Sequence, residues 1–232
     1  MNSVDPAIIG ALLAGLLSWA ILLPLARGIP LRLAKQWDHE FAVKALSEVK
    51  PIDEADYALP VFQRVAVVGI AIALGFVAVK VLGGTAAGVS MGLYFMALLL
   101  LAVINLKHGL LPDVVALTVL WAGLVFGATQ GGGPEQIFGA AVGYATPYAI
   151  SLLIKARTGK EAIGHGDMKT LAMTGAWVGL GAMPTLFVVF IGVLIVSAVA
   201  YSRARKKLPH GLPTGPAHLV ASVAVALGAR MF

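Results

Sequence analysis

The chain reads as an all-α polytopic membrane protein with about eight transmembrane helices, on three observations. It is 59% hydrophobic and 12% charged over 232 residues, where a soluble domain carries roughly 25% charged residues. Its apolar runs approach the roughly 20 residues that cross a bilayer, and short polar joints separate them. If eight helices alternate, 15 of the 17 Lys and Arg fall on one side, as the positive-inside rule asks of the cytoplasmic face.

The first span covers about 7–26. Asp5 precedes it and Arg27, Arg32 and Lys35 follow it, an order that suits a retained anchor with an external N-terminus better than a cleaved signal. Residues 27–61 form a cytoplasmic segment, in which Asp38 to Leu46 reads as a short amphipathic helix near the membrane. Pro51 and Pro60 bound an acidic patch, Asp53-Glu54-Ala55-Asp56, read as a solvated loop. A seven-helix core at 62–232 follows, with spans near 62–82, 86–104, 113–129, 135–154, 166–182, 184–201 and 214–231. The joints at 83–86, 130–134 and 182–184 lack Lys and Arg, so the polar joints at 105–112 and 155–169 share the cytoplasmic side.

Several function classes drop out. Without cysteine there is no disulfide, thiol catalysis or zinc-thiolate site. The five histidines lack metal-ligand spacing, so no metal is expected. The +6 charge is not arranged as a basic stripe interleaved with aromatics. It orients the protein and meets anionic lipid, a partner preferred over nucleic acid.

Two polar strings lie at span boundaries, where ionisable groups are costly and usually functional. One is Gly159-Lys160-Glu161-Ala162-Ile163-Gly164-His165-Gly166-Asp167-Met168-Lys169; the other is Ile104-Asn105-Leu106-Lys107-His108-Gly109-Leu110-Leu111-Pro112-Asp113. Taken alone, Asp167 is either a functional carboxylate or the N-cap of the sixth span, and Asp113 is an N-cap of the fourth. Lys107, Lys160 and Lys169 snorkel to lipid, and Trp121 and Trp177 are packing residues. His165 is a loop residue.

In extended context the strings resemble the active-site segments of the type IV prepilin peptidases, membrane aspartyl proteases with a GxGD motif. Thr158 to Gly179 is similar to the family pattern TGKEGxGxGDxKLLAxxGAWxG. Ile104 to Leu124 resembles IDxxxxxLPDxLTLPLLWxGL, and Leu212-Pro213-Thr214-Gly215-Pro216-Ala217 is similar to its IPFGP segment. The resemblance covers about residues 95–228. It implies a dyad formed by the positions of Asn105 and Asp167, with Glu161, Gly164 and Gly166 serving the substrate: glycine for close peptide approach, Glu161 for a basic leader. In such a dyad two carboxylates share one proton; one takes a proton from water while the other polarises the scissile carbonyl.

Three departures qualify the likeness. Asn105 stands where the family has its first catalytic aspartate, and asparagine exchanges no proton near neutral pH. The form given should bind substrate and cleave it very poorly, through an engineered substitution or, as the alternative, natural divergence. The cytoplasmic segment lacks the paired Cys-x-x-Cys of bifunctional members, and Gly15-Leu16-Leu17-Ser18-Trp19-Ala20 does not match GSFLN. Proteolysis needs no cofactor, and S-adenosylmethionine would enter only with an N-methyltransferase activity that these two departures put in question.

The resemblance thus implies an endopeptidase of the bacterial inner membrane that removes the basic leader of a prepilin or pseudopilin at the cytoplasmic face. The alternatives are an inactive binding or assembly homologue and a transporter. A transporter would carry mid-span polar residues and repeat symmetry, and neither is present. The dyad positions should face one small polar cavity. Ala172, Gly175 and Gly179 form a small-residue stripe that serves either as a groove wall for the substrate helix or as ordinary helix packing.

Overall fold

The computed structural model describes residues 5–45, 53–83, 86–203 and 212–228, without the side chains of 38–45. Lys50, Arg205, Lys206, Lys207 and the end of the last expected span lie outside the described residues. Among these, every regular element is helical, and the chain packs as two compact units, Met1–Ile104 and Asn105–Phe232.

In the first unit, α1 (Pro6–Leu17) runs through a π-helical turn, Ser18–Leu22, into α2 (Leu23–Ala45). The helix therefore continues well past residue 26, where the sequence reading ended it. Pro30 lies within it, and Arg27 and Lys35 tie it to Glu54 at 3.7 and 2.6 Å. Glu54 opens a 3-10 turn, Glu54–Tyr57, capped by Asp53 on the Ala55 N–H at 2.9 Å. The acidic patch thus carries a specific contact rather than only solvated charge. Antiparallel to α1 lies α3 (Val61–Leu82), and a methyl group built on Gly75 would come 2.8 Å from the Gly10 carbonyl oxygen. Asp5 caps α1 on the Ala7 N–H and reaches Lys80 at 3.2 Å, so the basic residue in the last turn of α3 is paired.

The helix α4 (Ala86–His108) ends four residues into the second unit, at Asn105 to His108. There follow α5 (Asp113–Thr129), α6 (Gly133–Thr158), α7 (His165–Val178), α8 (Met183–Arg203) and α9 (Gly215–Gly228). Counting α1 to α2 as one rod, the described residues hold eight long helices, one on each expected span. Five are long and apolar enough to cross a membrane. The other three, α5, α7 and α9, are shorter; 14 residues of α7 reach about 21 Å against roughly 30 Å of hydrocarbon. α7 stops at Val178, short of the expected 182, because Gly179 turns to φ 80° and the chain then bonds back to Glu135: Leu180 N–H donates to its carbonyl at 3.0 Å.

The centre of the second unit is α7, buried from Thr170 to Trp177 between α5 and α6. Gly139 and Gly143 of α6 admit its backbone: a methyl on Gly175 would sit 2.1 Å from the Gly139 oxygen, and one on Gly143 3.0 Å from the Ala172 Cα. The stripe of Ala172 and Gly175 is thus occupied by α6, which removes the groove reading; Gly179 lies beyond the helix as its C-cap. On the α5 side, Gly123 accommodates the Trp177 ring, whose Nε1–H donates to the Val119 carbonyl at 2.9 Å. Trp121 faces outward with Val125, Leu153 and Val188, an apolar exterior suited to lipid. Thr170 donates to the Gly166 carbonyl at 2.8 Å, and Thr174 lies 3.2 Å from Ser222 of α9, a buried polar link between the two helices.

Candidate functional site

A cavity of about 520 Å³ opens at one end of the second unit, lined by Asn105, Asp167, Gly164, Gly166, Tyr201 and Thr214 among others. Asn105 and Asp167, distant in sequence, share it. Each is fixed by the first turn of α9.

Asn105 is buried on the last turn of α4, just before Gly109 breaks the helix at φ 68°. The Gly215 N–H donates to its Oδ1 at 2.7 Å. A backbone N–H can only donate, so the atom it meets is the amide oxygen, and the NH₂ of Asn105 is the half left for other partners.

Asp167 is the third residue of α7. Its helix is capped by Gly164 without any side-chain bond, so Asp167 is not the N-cap that a structural reading of the motif allowed. Its Oδ1 lies 3.0 Å from Nε2 of His218, while Oδ2 lies beside Gly164, 3.3 Å from where a methyl group there would stand. The two motif glycines therefore differ in purpose. Gly164 leaves an oxygen of Asp167 uncovered, and Gly166 makes room for Leu111, whose Cβ would be 3.0 Å from an added methyl.

Glu161 does not line the cavity. It is exposed in the loop after α6 and accepts from Lys155 at 2.7 Å. That hydrogen bond, reinforced by the ammonium charge, holds its carboxyl below the usual glutamate range. The pair's contribution is therefore present above the unfolded-state value of about 4.3 and is lost as pH falls through the lower folded value. Acidification should lower the unfolding temperature by a small increment that Glu161→Gln lacks; identical acid limbs in the two proteins would remove the pair from the stability of this loop.

Asp113 also departs from expectation. Pro112 holds the N-cap position of α5, and Asp113 follows it, ion-paired with Lys169. Lys169 thus points along the cavity edge to a carboxylate rather than to lipid. Asp113→Asn removes a half-exposed ion pair rather than a cap and should cost about 0.2–1 kcal/mol in thermal unfolding; a larger loss would show that the pair locks the two motif strings together.

The residue that the sequence reading passed over is His218, weighed only for metal spacing. It is 1% exposed, tilted against Phe190 at 4.5 Å between ring centroids, and its Nδ1 has no partner among the described residues. A signal existed: it is the one ionisable residue of α9, and such a residue within an apolar span is a functional candidate by default. Among the described residues no cluster of His, Asp and Glu could hold a metal ion.

Residues 92–201 match the model of the Type IV leader peptidase family. A prepilin leader peptidase/N-methyltransferase of Xanthomonas campestris pv. campestris is 38% identical over 117 residues, 49% of this chain and 40% of the relative. The protein of the same name from Pectobacterium carotovorum subsp. carotovorum is 38% identical over 122 residues, 51% of this chain and 44% of its own length. That from Klebsiella pneumoniae is 42% identical over 96 residues, 40% of this chain and 42% of the relative. The chain thus spans about two fifths of the length of these curated relatives. No solved structure matches.

Proposed function

We propose that this chain is a membrane endopeptidase of the prepilin leader peptidase kind, acting on pilin-like precursors at the cytoplasmic face of a bacterial inner membrane. The observation that carries the reading is the shared cavity of Asn105 and Asp167, the two positions that the sequence resemblance pairs. The family match and the relatives' printed names support it. The N-terminus lies outside in this reading, because the basic joints flank the cavity end.

The reaction adds water across one peptide bond. Asp167 takes a proton from water as the oxygen bonds to the carbonyl carbon, and a donor at position 105 holds the developing oxyanion. The C–N bond then breaks, and the amine leaves with the proton that Asp167 held. Asn105 offers an N–H donor but no exchangeable proton, so it resembles a protonated aspartate frozen in one state. The chain therefore binds a precursor and cleaves it slowly. Methyl transfer from S-adenosylmethionine is not part of this reading.

The same asparagine favours one second reading, an inactive homologue that binds pilin-like helices for assembly. Expressing the chain and its Asn105→Asp variant with a prepilin separates the two. A size shift that appears or accelerates in the variant supports the peptidase; a precursor left intact by both leaves binding alone.

A further inference from the structure

Resting on that reading of the site, we propose that His218 is a positioning residue for Asp167, dictating which carboxylate oxygen meets the water. Nε2 of His218 faces Oδ1 at 3.0 Å. An ionised carboxylate only accepts, so that nitrogen carries the hydrogen and donates it. The donated hydrogen bond makes Oδ1 the less basic oxygen, so Oδ2, beside Gly164, is the one that takes the proton.

The imidazole is held to this one task. It is buried, Phe190 covers its ring, and Nδ1 meets no polar atom among the described residues. Packing alone does not call for a histidine here: a leucine would fill the space with no polar atom to satisfy. The remaining contact, to Asp167, is what the histidine adds. Three residues earlier the same helix turn holds Asn105 through the Gly215 N–H. The first turn of α9 thus fixes both sides of the cavity, one by backbone and one by imidazole.

The test uses the full chain carrying Asn105→Asp in lipid vesicles, with a precursor made of a basic leader joined to an apolar helix. His218→Leu removes the donor; His218→Gln keeps an N–H donor but not the ring. The expected result is a fall in kcat of about 10²-fold for leucine with KM within about twofold, and recovery of most of that loss by glutamine. Gly164→Ala provides a second arm that leaves the buried histidine untouched: a methyl over Oδ2 should lower kcat about tenfold or more at unchanged KM. Equal losses for leucine and glutamine in folded protein, or full activity of both His218→Leu and Gly164→Ala, would overturn the positioning role while leaving the peptidase intact. No cleavage even with His218 and Gly164 in place would instead sink the peptidase reading, and the positioning role with it.

Discussion

Replacing Asn105 by aspartate should raise the rate of leader cleavage by about 10²–10⁴-fold, the usual worth of a positioned acid-base group. The exchange swaps an amide NH₂ for an oxygen and leaves the rest of the residue unaltered. Oδ1 keeps the Gly215 N–H as its donor at 2.7 Å, so the new carboxyl arrives already oriented. The added group is a proton site in the cavity that Asp167 also lines. The gain should appear in kcat, because the amide already offers a donor of similar shape to the bound carbonyl. Adding Asp167→Asn to the active variant should return the rate to background. A parent chain as fast as the variant would show that residue 105 plays no part in proton transfer.

The second large effect concerns folding. Gly175→Leu should prevent the second unit from packing, since even a methyl group there would lie 2.1 Å from the Gly139 oxygen and 2.3 Å from its carbonyl carbon. Backbone atoms cannot swing aside as a flexible side chain can. Overpacking typically costs 1–3 kcal/mol and more where nothing yields, so a loss of at least about 3 kcal/mol is expected, read as low yield or a collapsed unfolding temperature. In the Asn105→Asp background, cleavage of a full-length precursor and of a soluble leader peptide should fail together. Loss confined to the full-length precursor would mean that the glycine face receives the substrate helix after all.

Much of this architecture was legible in the sequence because lipid imposes a strict solvent rule. A backbone that must satisfy itself can only be helical there, and the apolar runs locate the rods. Chain ends of those rods were less legible. Gly179 closes α7 four residues early through a positive φ and a bond back to Glu135, neither of which hydropathy records. α2 likewise continues through Pro30, with Arg27 and Lys35 on it paired to Glu54, a contact that hydropathy does not record. Asn105 and Asp167 were singled out by the motif resemblance of their two strings rather than by either spacing alone, and both line the cavity. Glu161 was assigned to a substrate on its charge, yet a neighbour six residues away in sequence, Lys155, holds it outside the cavity. His218 was missed although it is the one ionisable residue of α9, because the partner that gives it meaning lies 51 residues away in the chain.

The clamp formed by α9 also has a consequence for biosynthesis. Helices enter a membrane in chain order, so residues 105 and 167 are both in place well before Gly215 and His218 have been made. Until then Asn105 lacks its N–H donor and Asp167 lacks its imidazole, and the cavity has walls but no aligned chemistry. The two cavity side chains are thus set by α9 only once the last described helix docks.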